Sequence, residues 1–219
     1  MRLAEVLRGH ARWLKVGMTL FYAEGPAIVG RLRDLGFDVF LDLKLHDIPH
    51  QVAGAAREVA RLGAGMLTVH ASGGAEMVRA AAEGVAEGAE AAGAPAPKLL
   101  GVTVLTSMDA ATLADLGVAD GPGEQALRLA QIARDGGADG IVCSPLEASE
   151  MRRMLGADAF VVTPGVRPAG SARGDQSRVA TPAAALAAGA SHLVVGRPIT
   201  ESSDPARVFD SIAAEIAGV

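Results

Sequence analysis

One pattern recurs along the whole chain: a short β-branched or Leu-rich run, a loop, then an Ala-rich amphipathic stretch. The runs are Arg12–Gly17, Asp38–Leu45, Met66–His70, Leu99–Leu105, Gly140–Ser144, Ala159–Pro164 and His192–Gly196. Helical spacing fills the intervals at Phe21–Leu35, Pro49–Leu62, Gly74–Ala92, Glu124–Asp135, Pro145–Leu155 and Pro182–Ala188, with a last stretch from Pro205 to Ala217. Strict strand–helix alternation means a parallel sheet covered by helices, because each helix returns the chain to the edge where the next strand must start. Gly36, Gly63, Gly136 and Gly189 stand at helix–strand junctions, where the usual helix stop needs a residue with positive φ.

Seven such units are visible, one fewer than a closed eight-fold barrel needs. The chain opens MRLAEVLRGH, with Leu3, Val6 and Leu7 at helical spacing. This opening reads as a helix whose preceding strand is absent from the sequence. The expectation is an α/β fold, a (β/α)8 TIM barrel lacking its first β-strand, with Met1–Gly9 helical and a gap or mobile edge beside the Lys15 strand. An upstream strand that completed the ladder would then raise stability. A seven-stranded open sheet is the alternative, but no Gly-x-Gly-x-x-Gly turn supports a dinucleotide fold. No linker or low-complexity stretch divides residues 1–219, so a single catalytic domain is expected.

Composition narrows the function. Half of the residues are hydrophobic, which excludes a disordered chain. A net charge of −5 argues against a nucleic-acid partner. One Cys excludes a disulfide scaffold or thiolate metal cluster, and five scattered His without HxH or HxxxH spacing suggest no metal site. No apolar run is long enough to span a membrane and no signal peptide opens the chain, so a cytoplasmic protein is expected. Of the 20 basic residues, only Lys15, Lys44 and Lys98 are Lys. A chain that uses Arg for generic positive charge needs a reason for each Lys.

The segment FLDLKLHDIP supplies that reason. In a strand, Phe40, Asp42 and Lys44 point one way and Leu41, Leu43 and Leu45 the other. Asp42 and Lys44 then face the barrel interior near a C-terminal strand end, where barrel enzymes place catalysis, with Asp47 just beyond. A structural ion pair would need one carboxylate; two flanking one Lys favour a charged, positioned proton donor. Lys15 faces inward on the preceding strand, so two Lys and two Asp are expected to gather. Lys98 reads as solvated. Later, Gly165–Arg167 and Gly196–Arg197 fall after the last two strands, the common phosphate site of such barrels, where Gly admits backbone N–H groups and Arg supplies a bidentate fork. Gln176 could add a hydrogen bond. Thr106 and Ser107 could bind a polar ring or cap a helix at Met108–Leu116. His70 could line the mouth or sit in the core, and Cys143 reads as inert core.

Taken in order, KVGMTLFY, FLDLKLHDIP, LTVHASGG, VTVLTSM, VTPGVRPAG…GDQSRVATP and LVVGRPIT closely resemble the bacterial orotidine 5′-phosphate decarboxylases, from about Trp13 to the C-terminal helix. The resemblance implies a homodimeric (β/α)8 barrel that needs no cofactor or metal. It would convert orotidine 5′-monophosphate to uridine 5′-monophosphate and carbon dioxide, the last step of de novo UMP synthesis. It further implies that Lys15 and Asp42 hold a ribose-side charge network, that Lys44 donates the proton, and that Asp47 reaches into the partner's site. Thr106 would contact the pyrimidine; Arg167, Gln176, Gly196 and Arg197 the phosphate; Ile48 is among the substrate contacts. The family usually has Asn-Thr where this chain has His50 and Gln51, so the contact made by Gln51 is altered. The ribose-binding Asp of the family's first strand has no counterpart. Two other readings are a Mg²⁺-dependent sugar-phosphate decarboxylase of the same superfamily, which shares Asp-x-Lys-x-x-Asp, and a non-catalytic nucleotide-binding remnant. Intact buried charges argue against the remnant; the TPGVR, GDQ and LTS segments favour the nucleotide enzyme.

Overall fold

The computed structural model describes residues 1–168 and 178–218. The chain begins with α1 (Arg2–Leu7), as its opening spacing predicts, followed by β1 (Trp13–Gly17), α2 (Met18–Glu24), α3 (Ala27–Asp34) and β2 (Asp38–Leu45). Next come α4 (Pro49–Arg61), β3 (Met66–His70), a 3-10 turn (Ala71–Gly73), α5 (Gly74–Ala92), β4 (Lys98–Val102), α6 (Ala110–Asp115) and α7 (Pro122–Asp135). The remainder is β5 (Gly140–Val142), α8 (Ala148–Leu155), β6 (Phe160–Thr163), α9 (Pro182–Ala187), β7 (His192–Leu193), α10 (Arg197–Thr200) and α11 (Pro205–Ile216). Among the described residues no helix is long and apolar enough to cross a membrane.

The strands form one sheet in the order β1-β2-β3-β4-β5-β6-β7, with parallel pairing. Strand order that equals sequence order has no reversal point, which a doubly wound open sheet requires. It is the winding of the (β/α) barrel class, with seven strands among the described residues. The stretch Phe21–Leu35, expected as one helix, is two. Gly25 takes φ +67° at the end of α2, and Pro26 starts α3, whose first turn has no need of the missing N–H.

Two compact units divide the chain, Met1–Gly101 with Ile132–Asp139, and Val102–Gln131 with Gly140–Val219. In the first, Val16, Val39, Leu41, Leu67 and Val69 are fully buried on β1 to β3. Their helical cover is held close by glycine: a Cβ on Gly84 would lie 2.2 Å from the Ala53 carbonyl oxygen, and one on Gly88 2.2 Å from that of Arg57. Spaced four apart on α5, these two positions let its backbone touch that of α4. At the α7 junction the positive φ falls on Gly137 rather than on Gly136 as expected. Gly136 is required by space, since its Cβ would lie 2.5 Å from that of Val78. In the second unit, Ile141, Val161, Val162 and Met151 are buried around β5, β6 and α8, and Val166, Ala185 and Ala190 form an adjoining cluster.

Gly84→Val is expected to destabilise the protein by about 1–3 kcal/mol, because the new side chain must displace α4 backbone. Urea unfolding reads this as a lower midpoint at unchanged slope; an unchanged midpoint would contradict the close approach.

Candidate active site

The first unit gathers charge at the C-terminal ends of β1 and β2. Parallel pairing sets Gly17 opposite Asp42 and Lys15 opposite Phe40. From there the Lys15 side chain reaches forward, and its Nζ lies 3.1 Å from Asp42 Oδ2. Gly17 leaves room for it: a Cβ there would stand 3.4 Å from Lys15 Nζ. Lys44 Nζ donates to the other oxygen, Asp42 Oδ1, at 2.7 Å. One carboxylate thus holds two ammonium groups, and its side chain is only 13% exposed.

Lys44 does not arrive there by simple strand alternation, as the sequence predicts. Leu41 pairs with Leu67 and Leu45 with Val69, so β2 spends four steps where β3 spends two. The excess is a bulge, and within it Lys44 takes φ +52°, the only non-glycine residue with positive φ among those described. Such a backbone costs about 1–3 kcal/mol and persists only where its surroundings hold it. Thr68, fully buried on β3, does so. Its Oγ1 accepts the Lys44 backbone N–H at 2.8 Å and donates to Asp42 Oδ1 at 3.1 Å. The hydroxyl replaces the ladder bond lost to the bulge and locks the carboxylate that receives the Lys44 ammonium.

Burial alone would raise the Asp42 carboxyl pKa, but the Lys15 and Lys44 ammonium groups outweigh it and hold the pKa below the usual carboxylate value. His70, at the end of β3, is pushed below the ordinary imidazole value by burial, then by the charges of His46 and Lys44, against a smaller pull from Asp42. Its ring lies 5.4 Å from that of His46, centroid to centroid. His70 therefore borders the charged site in neutral form near pH 7.

Asp47 stands apart. It is exposed beyond β2, and its Oδ1 accepts the Ile48 backbone N–H at 2.6 Å. Ile48 is 63% exposed, and His50 and Gln51 lie exposed in the first turn of α4. The expected gathering of two Lys and two Asp is therefore three groups, Lys15, Asp42 and Lys44, with Asp47 outside them. Lys98 is not simply solvated, since its Nζ pairs with Asp139 at 2.9 Å.

The second unit carries the other predicted residues. Thr106 is buried, in a turn after β4. The cap of α6 is Asp109, which accepts the Thr112 N–H at 2.9 Å, so neither Thr106 nor Ser107 is spent on that role. β6 and β7 are paired neighbours, and the loops after them bring Gly165–Arg167 and Gly196–Arg197 to adjacent strand ends. Gly165 has φ +79°. Arg167 is nearly buried, its Nη1 donating to the Val166 carbonyl at 2.9 Å, whereas Gly196 and Arg197 are exposed at the start of α10. Gln176 lies outside the described residues. The Cys143 thiol pKa is raised by burial and by Glu147, as inert core requires.

Sequence reasoning missed Thr68. Its signal is a hydroxyl flanked by Leu67 and Val69 in a fully buried strand, where it needs a partner.

Residues 1–212 match the family described as Orotidine 5′-phosphate decarboxylase / HUMPS family. The chain is 57% identical over 204 residues to the orotidine 5′-phosphate decarboxylase of Halorhodospira halophila, covering 93% of this chain and 84% of that protein. It is 55% identical over 201 residues to the enzyme of that name from Anaeromyxobacter sp. strain K, covering 92% and 85%. Among solved structures, that of orotidine 5′-phosphate decarboxylase from Lactobacillus acidophilus is similar with a TM-score of 0.84 and 41% identity, over 98% of this chain and 93% of that one.

Thr68→Val keeps shape but leaves the Lys44 N–H without its acceptor and Asp42 without a donor. The expected result is a loss of about 1–3 kcal/mol in stability together with a drop in kcat. Unfolding and steady-state assays on the same variant check it; wild-type values in both would remove Thr68 from the site.

Proposed function

Because the chain belongs to the Orotidine 5′-phosphate decarboxylase / HUMPS family, we propose that its Lys15–Asp42–Lys44 cluster carries out the decarboxylation of orotidine 5′-monophosphate, with Lys44 as the proton donor. The overall reaction, which yields uridine 5′-monophosphate and carbon dioxide in pyrimidine biosynthesis, is the activity of this chain. The observation that carries the assignment of Lys44 is the sharing of one carboxylate by two ammonium groups. Asp42 neutralises one positive charge and leaves one over. A purely structural ion pair would leave none.

That surplus fits the chemistry. The bond from C6 of the pyrimidine to its carboxylate breaks heterolytically. Carbon dioxide leaves, and the electron pair stays on C6, where the ring delocalises it poorly. A fixed ammonium beside C6 stabilises this charge as it develops, without reorganisation at the moment of reaction. The Lys44 proton then moves to C6, and the neutral amine recovers a proton from solvent. The strained backbone of Lys44 serves this role by fixing the angle at which the ammonium is presented. Lys15 and Asp42 hold the ribose side, Thr106 the pyrimidine, and Arg167, Gln176, Gly196 and Arg197 the phosphate. Assigning both groups to one substrate, and residues 1–219 to one catalytic domain working in the cytoplasm, rests on family membership.

The same reading makes the enzyme a homodimer in which Asp47, Ile48 and Gln51 serve the partner's site. Its support is the exposure of Asp47 away from the Lys15–Asp42–Lys44 group, and of the apolar Ile48 beside it. Relatives at 55–57% identity that bear the decarboxylase name favour this function over a Mg²⁺-dependent sugar-phosphate enzyme or a non-catalytic remnant.

Lys44→Ala should lower kcat by about 10²-fold or more while uridine 5′-monophosphate still binds, because the phosphate contacts lie on other strands. Mixing Lys44→Ala with Asp47→Ala protomers should restore activity, since each mixed dimer contains one intact composite site. Normal turnover by Lys44→Ala overturns the proton donor; failure of the mixture to recover activity overturns the shared site.

A further inference from the structure

Arg178 is buried among groups the proposed chemistry does not use. Its side chain is 12% exposed, and Nη1 is paired with the carboxylate of Glu147, whose side chain is 6% exposed. The other oxygen of Glu147 accepts the Ser144 backbone N–H at 3.0 Å, fixing the carboxylate at the end of the β5 segment. Nη2 of Arg178 reaches a different segment. It donates to the carbonyls of Val104 at 3.1 Å and Leu105 at 3.0 Å.

The position of those carbonyls gives the contact its meaning. Beyond β4 the backbone still pairs at Thr103, whose N–H donates to Val142 at 3.0 Å. The chain then turns, with the Met108 N–H donating to the Leu105 carbonyl at 2.9 Å, and Thr106 stands within that turn. The guanidinium therefore holds the oxygen on which the turn closes and the one before it. Two residues after Arg178, the Ala180 carbonyl accepts the Arg167 N–H at 2.9 Å, and the Ala180 N–H donates to Gly165 at 3.4 Å. One side chain and its near neighbour fix both the Thr106 turn and the Arg167 backbone.

We propose that Arg178, seated on Glu147, is a positioning residue for the reaction, setting the Thr106 turn relative to the Arg167 segment so that the pyrimidine and phosphate ends of the substrate are gripped in register. This rests on the reading of Thr106 and Arg167 as substrate contacts. A simple ion pair would need only the Glu147 contact. The planar fork is what allows one cation to serve a carboxylate and two carbonyls at once, and Lys cannot reproduce it.

The test is a double-mutant cycle on the full chain with orotidine 5′-monophosphate, using Arg178→Lys, Thr106→Val and the pair, with thermal melting of each. Arg178→Lys should lower kcat/KM about tenfold, beyond any loss of folded protein. In the Thr106→Val background the same change should cost less than about twofold, because the contact through which it acts is already gone. Glu147→Gln, which keeps the shape of the site, should behave in the same direction and replaces Arg178→Lys in the cycle if that variant does not fold. Wild-type kcat/KM in Arg178→Lys, additive losses in the cycle, or a loss matched by the unfolded fraction would each overturn the proposal. If Thr106→Val itself keeps wild-type kcat/KM, the assignment of Thr106 falls and takes the proposal with it. An impaired Thr106→Val with additive losses overturns the positioning role alone.

Discussion

Asp42 has both carboxylate oxygens committed, Oδ2 to Lys15 and Oδ1 to Lys44 and Thr68, and the C-terminal ends of β1 and β2 are arranged around that commitment. Moving three ionised groups out of water carries a penalty of several kcal/mol per ion when they are deeply buried. Here the penalty is limited in two ways. The ammonium groups keep partial contact with solvent, and the carboxylate, which is the most buried of the three, receives three donors. What remains is a net positive charge held in place before a substrate arrives. In the proposed reaction that charge would act in the transition state, where negative charge appears on carbon, so the cost of assembling it would fall on folding rather than on the chemical step.

The same carboxylate explains a local violation of strand geometry. Uninterrupted pairing would carry β2 past β3 residue for residue, with every backbone N–H in the ladder. Instead β2 bulges, and a Lys occupies a backbone region that usually favours glycine. Thr68 bridges the two consequences, since it satisfies the amide freed by the bulge and orients the carboxylate that holds the Lys44 ammonium. The strained residue and the one that places its ammonium on Asp42 are one and the same, and the group that relieves the strain touches the counter-ion.

Much of this arrangement is legible in the sequence. Alternating apolar runs and Ala-rich stretches announce the parallel sheet, and the scarcity of Lys marks Lys15 and Lys44 against an Arg background. The register that puts Lys15 within reach of Asp42 follows from successive strands being neighbours. The bulge is not legible, because DLKL obeys the same period-two pattern with or without it. Thr68 is hidden for a related reason: a single hydroxyl in a buried strand has many acceptors, and only the fold says which one it takes. Arg178 is hidden by composition, since among seventeen Arg one more in a polar loop carries no signal. The break in Phe21–Leu35 was available in Gly25–Pro26, a pair that stops one helix and starts another.

Asp42 is the ionised hub of the cluster, its burial outweighed by the two ammonium groups. The most direct measurement is a carbon-13 NMR titration of the Asp42 carboxyl in the free enzyme, assigned with Asp42→Asn. The expected result is a midpoint below the ordinary aspartate value of 3.8, with the carboxylate ionised at neutral pH. A midpoint above that value would mean that burial dominates and that the two ammonium groups do not share this carboxylate, and would contradict the account.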